Sequence, residues 1–197
     1  MILEFYGLPG SGKSTVARYL KKTRGFKVIK IENKRELFFY NLIFLFKYPV
    51  KFFALLYYLL LNGENSKLFY YKFMNTFLQH NAKYIKAKSF KRDEKLIIDQ
   101  GHFQNIISVF KKNVSSAYIE NYLKFVPIPD KLFIFEIGEE ERRERLLNRG
   151  HNPRGGYGKN YQKKWNGIII HNNNLFMDVV GRLNINYAFV KDGEIKV

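Results

Sequence analysis

The sequence predicts an α/β protein with an open parallel sheet, and three features carry that prediction. An apolar strand at residues 2–6 runs into a glycine-rich loop and then a helix. A second apolar strand, residues 95–99, ends in a single carboxylate, Asp99. A third strand, residues 129–137, is followed by a helix over 139–148 with acids at its start and arginines at its end, as the helix dipole prefers. At 197 residues the chain is expected to form one domain, 1–197.

Hydrophobic residues make up 46% and charged residues 26%, which excludes wholesale disorder. The chain has no cysteine, so disulfides, thiolate metal sites, iron–sulfur clusters and a cysteine nucleophile are excluded. A net charge of +17 favours anionic partners such as nucleotide phosphates, nucleic acid or an anionic membrane face. A coding bias toward Lys, Asn, Ile, Phe and Tyr explains the same number equally well. Met1 stands directly against an apolar run without a basic n-region or a small-residue cleavage site, so a cytoplasmic protein is expected.

The first strand opens into Gly7-Leu8-Pro9-Gly10-Ser11-Gly12-Lys13-Ser14-Thr15, the pattern G-x-x-x-x-G-K-[ST] in the strand–loop–helix setting it requires. Glycines at 7, 10 and 12 are expected to take positive φ, turning successive N–H groups toward an anion. The following helix adds its N-terminal partial charge. Lys13 then supplies a full charge to the β- and γ-phosphates, and the Ser14 hydroxyl a ligand for Mg²⁺. All nine loop residues are expected to contact ATP. A guanine-reading N-K-x-D is lacking, since the nearest match, Asn33-Lys34-Arg35-Glu36, ends in Glu and lies too early.

An Asp delivered at the carboxyl tip of a buried strand sits where an open α/β sheet places ligand chemistry. Asp99 is therefore expected to hold the Mg²⁺ shell, or to orient and deprotonate an acceptor hydroxyl. The plainer reading is a strand-end Asp that caps the next helix. Arg142, Arg145 and Arg149 share one helical face. Beyond them the glycine-rich, basic loop 149–160 is expected to act as a lid. Arg145, Arg149 and Arg154 are the functional candidates, with Lys13, Asp99 and Arg149 as the catalytic set. Arg142 and Arg143 are expected to be solvated, in Glu–Arg pairs along the helix.

Taken together, the loop 7–15, Ile98-Asp99-Gln100-Gly101, and Pro129-Asp130 through Arg145-x-x-x-Arg149-Gly150 with Arg154 resemble the P-loop kinases of the nucleoside monophosphate kinase-like superfamily, near thymidylate and adenylate kinases. The resemblance implies a P-loop NTPase three-layer fold, a five-stranded mostly parallel sheet flanked by helices, with a lid and an acceptor-binding insertion at 33–94. It also implies Arg145 near the adenine and Arg149 and Arg154 near the phosphates. Two departures bear on the acceptor. Gln100 follows the strand-end Asp where thymidylate kinases have Arg, and residues 36–90 contain no arginine, where adenylate kinases place acceptor-phosphate arginines. Kinase is therefore better supported than a nucleotide acceptor.

The insertion opens with Leu37 to Phe46 and Phe52 to Leu61, both almost wholly apolar, separated by Lys47-Tyr48-Pro49-Val50-Lys51. A span here would place Lys13 and Asp99 on opposite sides of a bilayer, so two helices broken near Pro49 are expected instead. The second is apolar on every face and needs burial, a partner or lipid. Packed core, a greasy acceptor pocket, a homodimer interface and peripheral membrane contact through 37–61 all stand open. A further helix over 66–88, with Phe69, Phe73 and Phe77 on one stripe and lysines elsewhere, should cover the pair.

The four histidines, at 80, 102, 151 and 171, have no metal-ligand spacing, and His102 is more readily structural than an acceptor contact. No nucleic-acid recognition motif appears, and no specific nucleic acid is expected. The expected activity is transfer of the γ-phosphate of Mg-ATP to a small acceptor: a nucleotide, or a hydroxylated metabolite, sugar or lipid-linked molecule. The alternative is a non-catalytic or regulatory NTP-binding protein or ATPase, membrane-peripheral or nucleic-acid-stimulated.

Overall fold

A computed structural model of the protein describes residues 1–63, 66–148 and 156–191. Five strands form one sheet: β1 (Ile2–Gly7), β2 (Lys27–Val28), β3 (Leu96–Ile98), β4 (Lys131–Phe135) and β5 (Tyr187–Val190). Their order is β2-β3-β1-β4-β5, and every pairing is parallel. The strands at the centre are apolar throughout because both faces are covered: Leu3, Phe5 and Tyr6 of β1 and Ile97 of β3 are 0% exposed. Strand β2 has only two residues. Its ladder ends with the bond from Ile29 N to Ile97 O.

Helix α1 (Lys13–Thr23) packs Val16, Ala17 and Leu20 on one sheet face with Phe5, Phe133 and Phe135. The insertion forms α2 (Lys34–Lys47), α3 (Pro49–Leu61), α4 (Ser66–Lys72) and α5 (Gln79–Ser89). Asn33 caps α2 through its side chain, which accepts from Glu36 N at 2.9 Å. Pro49 opens α3 at a position that needs no N–H donor, and the two helices are bent by 116°. Among the described residues no single helix is long and apolar enough to cross a membrane.

Between α4 and α5 the helix widens into a π segment, Phe73–Leu78. The Thr76 hydroxyl donates to the Lys72 carbonyl within it. The Phe69, Phe73 and Phe77 rings follow one another at 6.3 and 5.7 Å with nearly parallel planes. Lys72 is 1% exposed, and its ammonium donates to the carbonyls of Asn62 and Val109 at 3.2 and 2.8 Å. That buried side chain ties the end of α3 to the segment that follows Ser108.

After β3 come a 3₁₀ turn (His102–Gln104), α6 (Asn105–Ser108) and α7 (Ser116–Leu123); after β4, α8 (Glu139–Asn148) and α9 (Lys159–Val180). The inward faces of α2, α3, the π segment and α5 share one hydrophobic core with α6, α7 and α9, in which Phe44, Phe103, Ile106, Ile119 and Phe176 are 0% exposed. Asn172, in the polar run 172–174 of α9, is also 0% exposed. It accepts from Val114 N and donates to Lys112 O, both at 3.1 Å, latching the loop before α7.

Candidate functional site

The loop after β1 has the backbone its glycines predict: φ is +97° at Gly10 and +89° at Gly12, values open to glycine at little cost. Gly12 is also the N-cap of α1, and a Cβ there would stand 3.3 Å from Arg145 Nη1. A Cβ on Gly10 would stand 3.2 Å from Arg142 Cγ. The loop is thus pressed between α1 and α8. Lys13 is 7% exposed, with Nζ donating to Gly7 O at 2.6 Å, Leu8 O at 3.0 Å and Ser11 Oγ at 3.3 Å. An ammonium held by carbonyl dipoles inside an anion nest is the donor set a polyphosphate requires. Ser14 is exposed on the first turn of α1 and faces the same cavity.

That cavity, about 520 Å³, is bounded on one side by Pro9 to Ser14 and on the other by Leu68 and Tyr71 of α4, Asn75 and Thr76 of the π segment, and His80 of α5. Gln100, Gln104, Ile107, Ser108, Tyr157 and Trp165 close it, and Lys67 also lines it. Sequence reasoning missed Gln104. Its Oε1 accepts from Gly7 N at 3.3 Å and its Nε2 donates to Gly7 O at 3.1 Å. His80 is 2% exposed, Nδ1 has no hydrogen-bond partner, and burial pushes its pKa well below the usual value. The imidazole is neutral at physiological pH.

Asp99 stands at the carboxyl end of β3, next to β1 in the sheet. Its Oδ1 lies 2.9 Å from the ammonium of Lys83 on α5, a partner the sequence did not reveal. Gln100, rather than Asp99, lines the cavity. Behind this turn Glu4 is 1% exposed, and Oε1 accepts from Phe103 N at 2.9 Å. Gly101 packs so closely on it that a Cβ would meet the Glu4 carboxyl at 2.4 Å. Burial raises the Glu4 pKa to about 8. His102 is structural: it stacks on Phe44 at 5.9 Å, Nε2 meets Asn81 Oδ1 at 2.9 Å, and burial lowers its pKa to about 3.

The arginines of α8 divide differently from expectation. Arg142 is 2% exposed, bonded to Glu139 and to Asn166 Oδ1 at 2.7 Å, so it is a core residue and not a solvated one. The bond from Arg142 is the main cause that holds the Glu139 carboxyl below the usual range. Arg143 does pair with Glu139 in solvent, at 3.0 Å. Arg145 pairs with Glu141 beside the phosphate loop. Arg149 and Arg154 lie outside the described residues, as does most of the lid loop 149–160; Tyr157 at its end lines the cavity.

A glycine loop delivered by the central strand of an all-parallel sheet, with a buried lysine and a helix N-terminus behind it, defines a P-loop NTPase. The sequence matches the AAA domain family over residues 4–166, and the chain belongs to that family. No curated protein matches it. In fold it is similar to a deoxyadenosine kinase from M. mycoides with products dCMP and a flexible dCDP bound. That superposition has a TM-score of 0.53 at 17% identity, covering 100% of this chain and 92% of that one. A structure of deoxyadenosine kinase from M. mycoides with bound dATP gives 0.51 at 16% identity, covering 100% and 93%. The resemblance to P-loop kinases and the five-stranded α/β fold are borne out by these matches.

Proposed function

We propose that the protein is an ATP-dependent phosphotransferase whose acceptor is a neutral hydroxylated molecule, a nucleoside being the best fit. The observation that carries this reading is the cavity. One wall is a phosphate loop and the other is made of amide, hydroxyl, imidazole and aromatic groups, with Lys67 at its edge and, among the described residues, no arginine. Such a lining suits a nucleobase and sugar better than a phosphorylated acceptor, whose anion calls for guanidinium partners. The structures of the same fold are of a nucleoside kinase, which supports the same class of acceptor.

In this reading the N–H groups of residues 10–15, Lys13 and Arg145 bind the triphosphate, and Arg149 and Arg154 close over it. Ser14 and Asp99 would hold Mg²⁺; the described residues contain no cluster of three acids or histidines that could cage it unaided, which matches a metal bound largely by the nucleotide. When bound, the ion neutralises charge on the phosphates. His80, Gln100 and Asn75 hydrogen-bond the acceptor. Its hydroxyl oxygen attacks the γ-phosphorus, the bond to the β–γ bridging oxygen breaks, and the hydroxyl proton passes to Asp99 or to solvent. Rate comes from positioning and charge neutralisation.

The test follows label from γ-labelled ATP with Mg²⁺ into nucleosides, nucleoside monophosphates, sugars and a lipid extract, with Lys13→Ala and Asp99→Asn as controls. Label in a nucleoside monophosphate made from nucleoside, lost in both variants, supports the reading. Label released only as inorganic phosphate, at the same rate in Asp99→Asn, points instead to a regulatory ATPase.

A further inference from the structure

The outward faces of α2 and α3 carry apolar side chains that the fold leaves uncovered. Phe39, Leu42 and Phe46 on α2 and Val50, Phe53, Tyr57 and Leu60 on α3 are each more than half exposed. Their spacing alternates three and four residues, so each set forms one stripe along its helix. The inward faces are fixed in the core through Leu37, Phe44, Leu55 and Leu59. Scattered exposed apolar residues are ordinary, but two stripes on consecutive helices form a patch that needs a partner. The stripes meet at the 116° corner, where Phe46 and Val50 are 81 and 70% exposed on either side of the exposed Lys47.

Charge decides what covers the patch. Lys34, Arg35 and Lys47 on α2 are exposed. Helix α3 has no acidic residue, and the one acid of α2, Glu36, is engaged by Lys86 at 2.6 Å. A second copy seated on this patch would set one basic rim against another. An anionic bilayer offers that rim its counter-charge and the stripe its apolar phase. We propose that the α2–α3 corner is a peripheral docking surface for anionic phospholipid, entered by Phe46 and Val50 and held by the flanking cations.

The test is co-sedimentation of the full chain with phosphatidylcholine vesicles, with and without an equal share of phosphatidylglycerol. Binding is expected with the anionic vesicles only, weakened by salt. The double variant Phe46→Ser/Val50→Ser, which removes no buried contact, is expected to lower partitioning about tenfold or more while ATP binding is kept. Lys34→Gln/Arg35→Gln/Lys47→Gln is expected to weaken it similarly and to flatten the salt dependence. Binding to neither vesicle, or binding indifferent to both variants, overturns the proposal. So does a dimer in velocity centrifugation that Phe46→Ser/Val50→Ser splits, which assigns the patch to a second copy.

Discussion

Gln104 holds Gly7 by both ends of its side-chain amide, the oxygen accepting from the glycine N–H and the nitrogen donating to its carbonyl. A side chain from the turn after β3 thereby fixes the first residue of the loop after β1. Replacing Gln104 with Leu keeps the volume but strands a buried N–H, at a cost of about 1–3 kcal/mol. The expected result is a roughly tenfold or greater loss of ATP affinity by titration calorimetry, with an unchanged far-ultraviolet spectrum.

The ion pair between Lys83 and Asp99 gives a second test. Asp99→Asn is expected to lower kcat about a hundredfold or more while the ATP Kd stays within about twofold, the split expected of a residue that acts on the reacting hydroxyl or its metal. Lys83→Met removes the ion pair that positions Asp99 and should lower kcat about tenfold while the ATP Kd stays within about twofold. A strand-end cap would show neither effect.

Stability should peak near pH 6.5. His80 and His102 are buried neutral, with pKa values pushed below the ordinary 6.5, so below that pH the unfolded chain binds two protons the fold refuses. Glu4, raised from 4.5 to about 8, works oppositely: between those values the fold keeps a proton the unfolded chain has released. From pH 4.5 to 6.5 the difference is one proton in favour of unfolding in acid, and stability rises with pH by up to about 1.4 kcal/mol per unit. From 6.5 to about 8 only Glu4 counts and stability falls at a similar slope. Glu4→Gln should abolish the falling limb and steepen the rising one, measured by urea unfolding across the series.

Neighbouring arginines on α8 should separate cleanly in thermal unfolding. Arg142→Ala removes a fully buried side chain together with its bonds to Glu139 and Asn166, and is expected to cost about 2–4 kcal/mol. Arg143→Ala removes an exposed pair and should change stability by less than about 1 kcal/mol.

The sheet and the phosphate loop were legible because their rules are local. Gly10 and Gly12 announce their positive φ, and the Glu139–Asn148 helix announces its ends by its charges. What escaped was decided by packing between distant segments. Nothing near Arg142 or Lys72 in the sequence says that Asn166, or the carbonyls of Asn62 and Val109, will wait for them inside the fold. Gln104 was invisible for the same reason, since its partner lies 97 positions earlier. Helices α6 and α7 are only four and eight residues long, so the stretch 103–128 holds too few turns for a repeat to stand out.

The π segment has a consequence for how one helix serves two masters. In a regular α-helix, residues four apart creep around the axis by about 40° per step. A wider turn creeps the other way. The two cancel across Phe69, Phe73 and Phe77, whose rings therefore stay in register as a straight spine under α3. The same change of phase brings Asn75, Thr76 and His80 to the cavity. Deleting one residue from this turn would restore a uniform helix and make the two faces incompatible: keeping the spine would rotate the polar trio away. Packing and recognition are geared together here by a single extra residue, so neither can drift without the other.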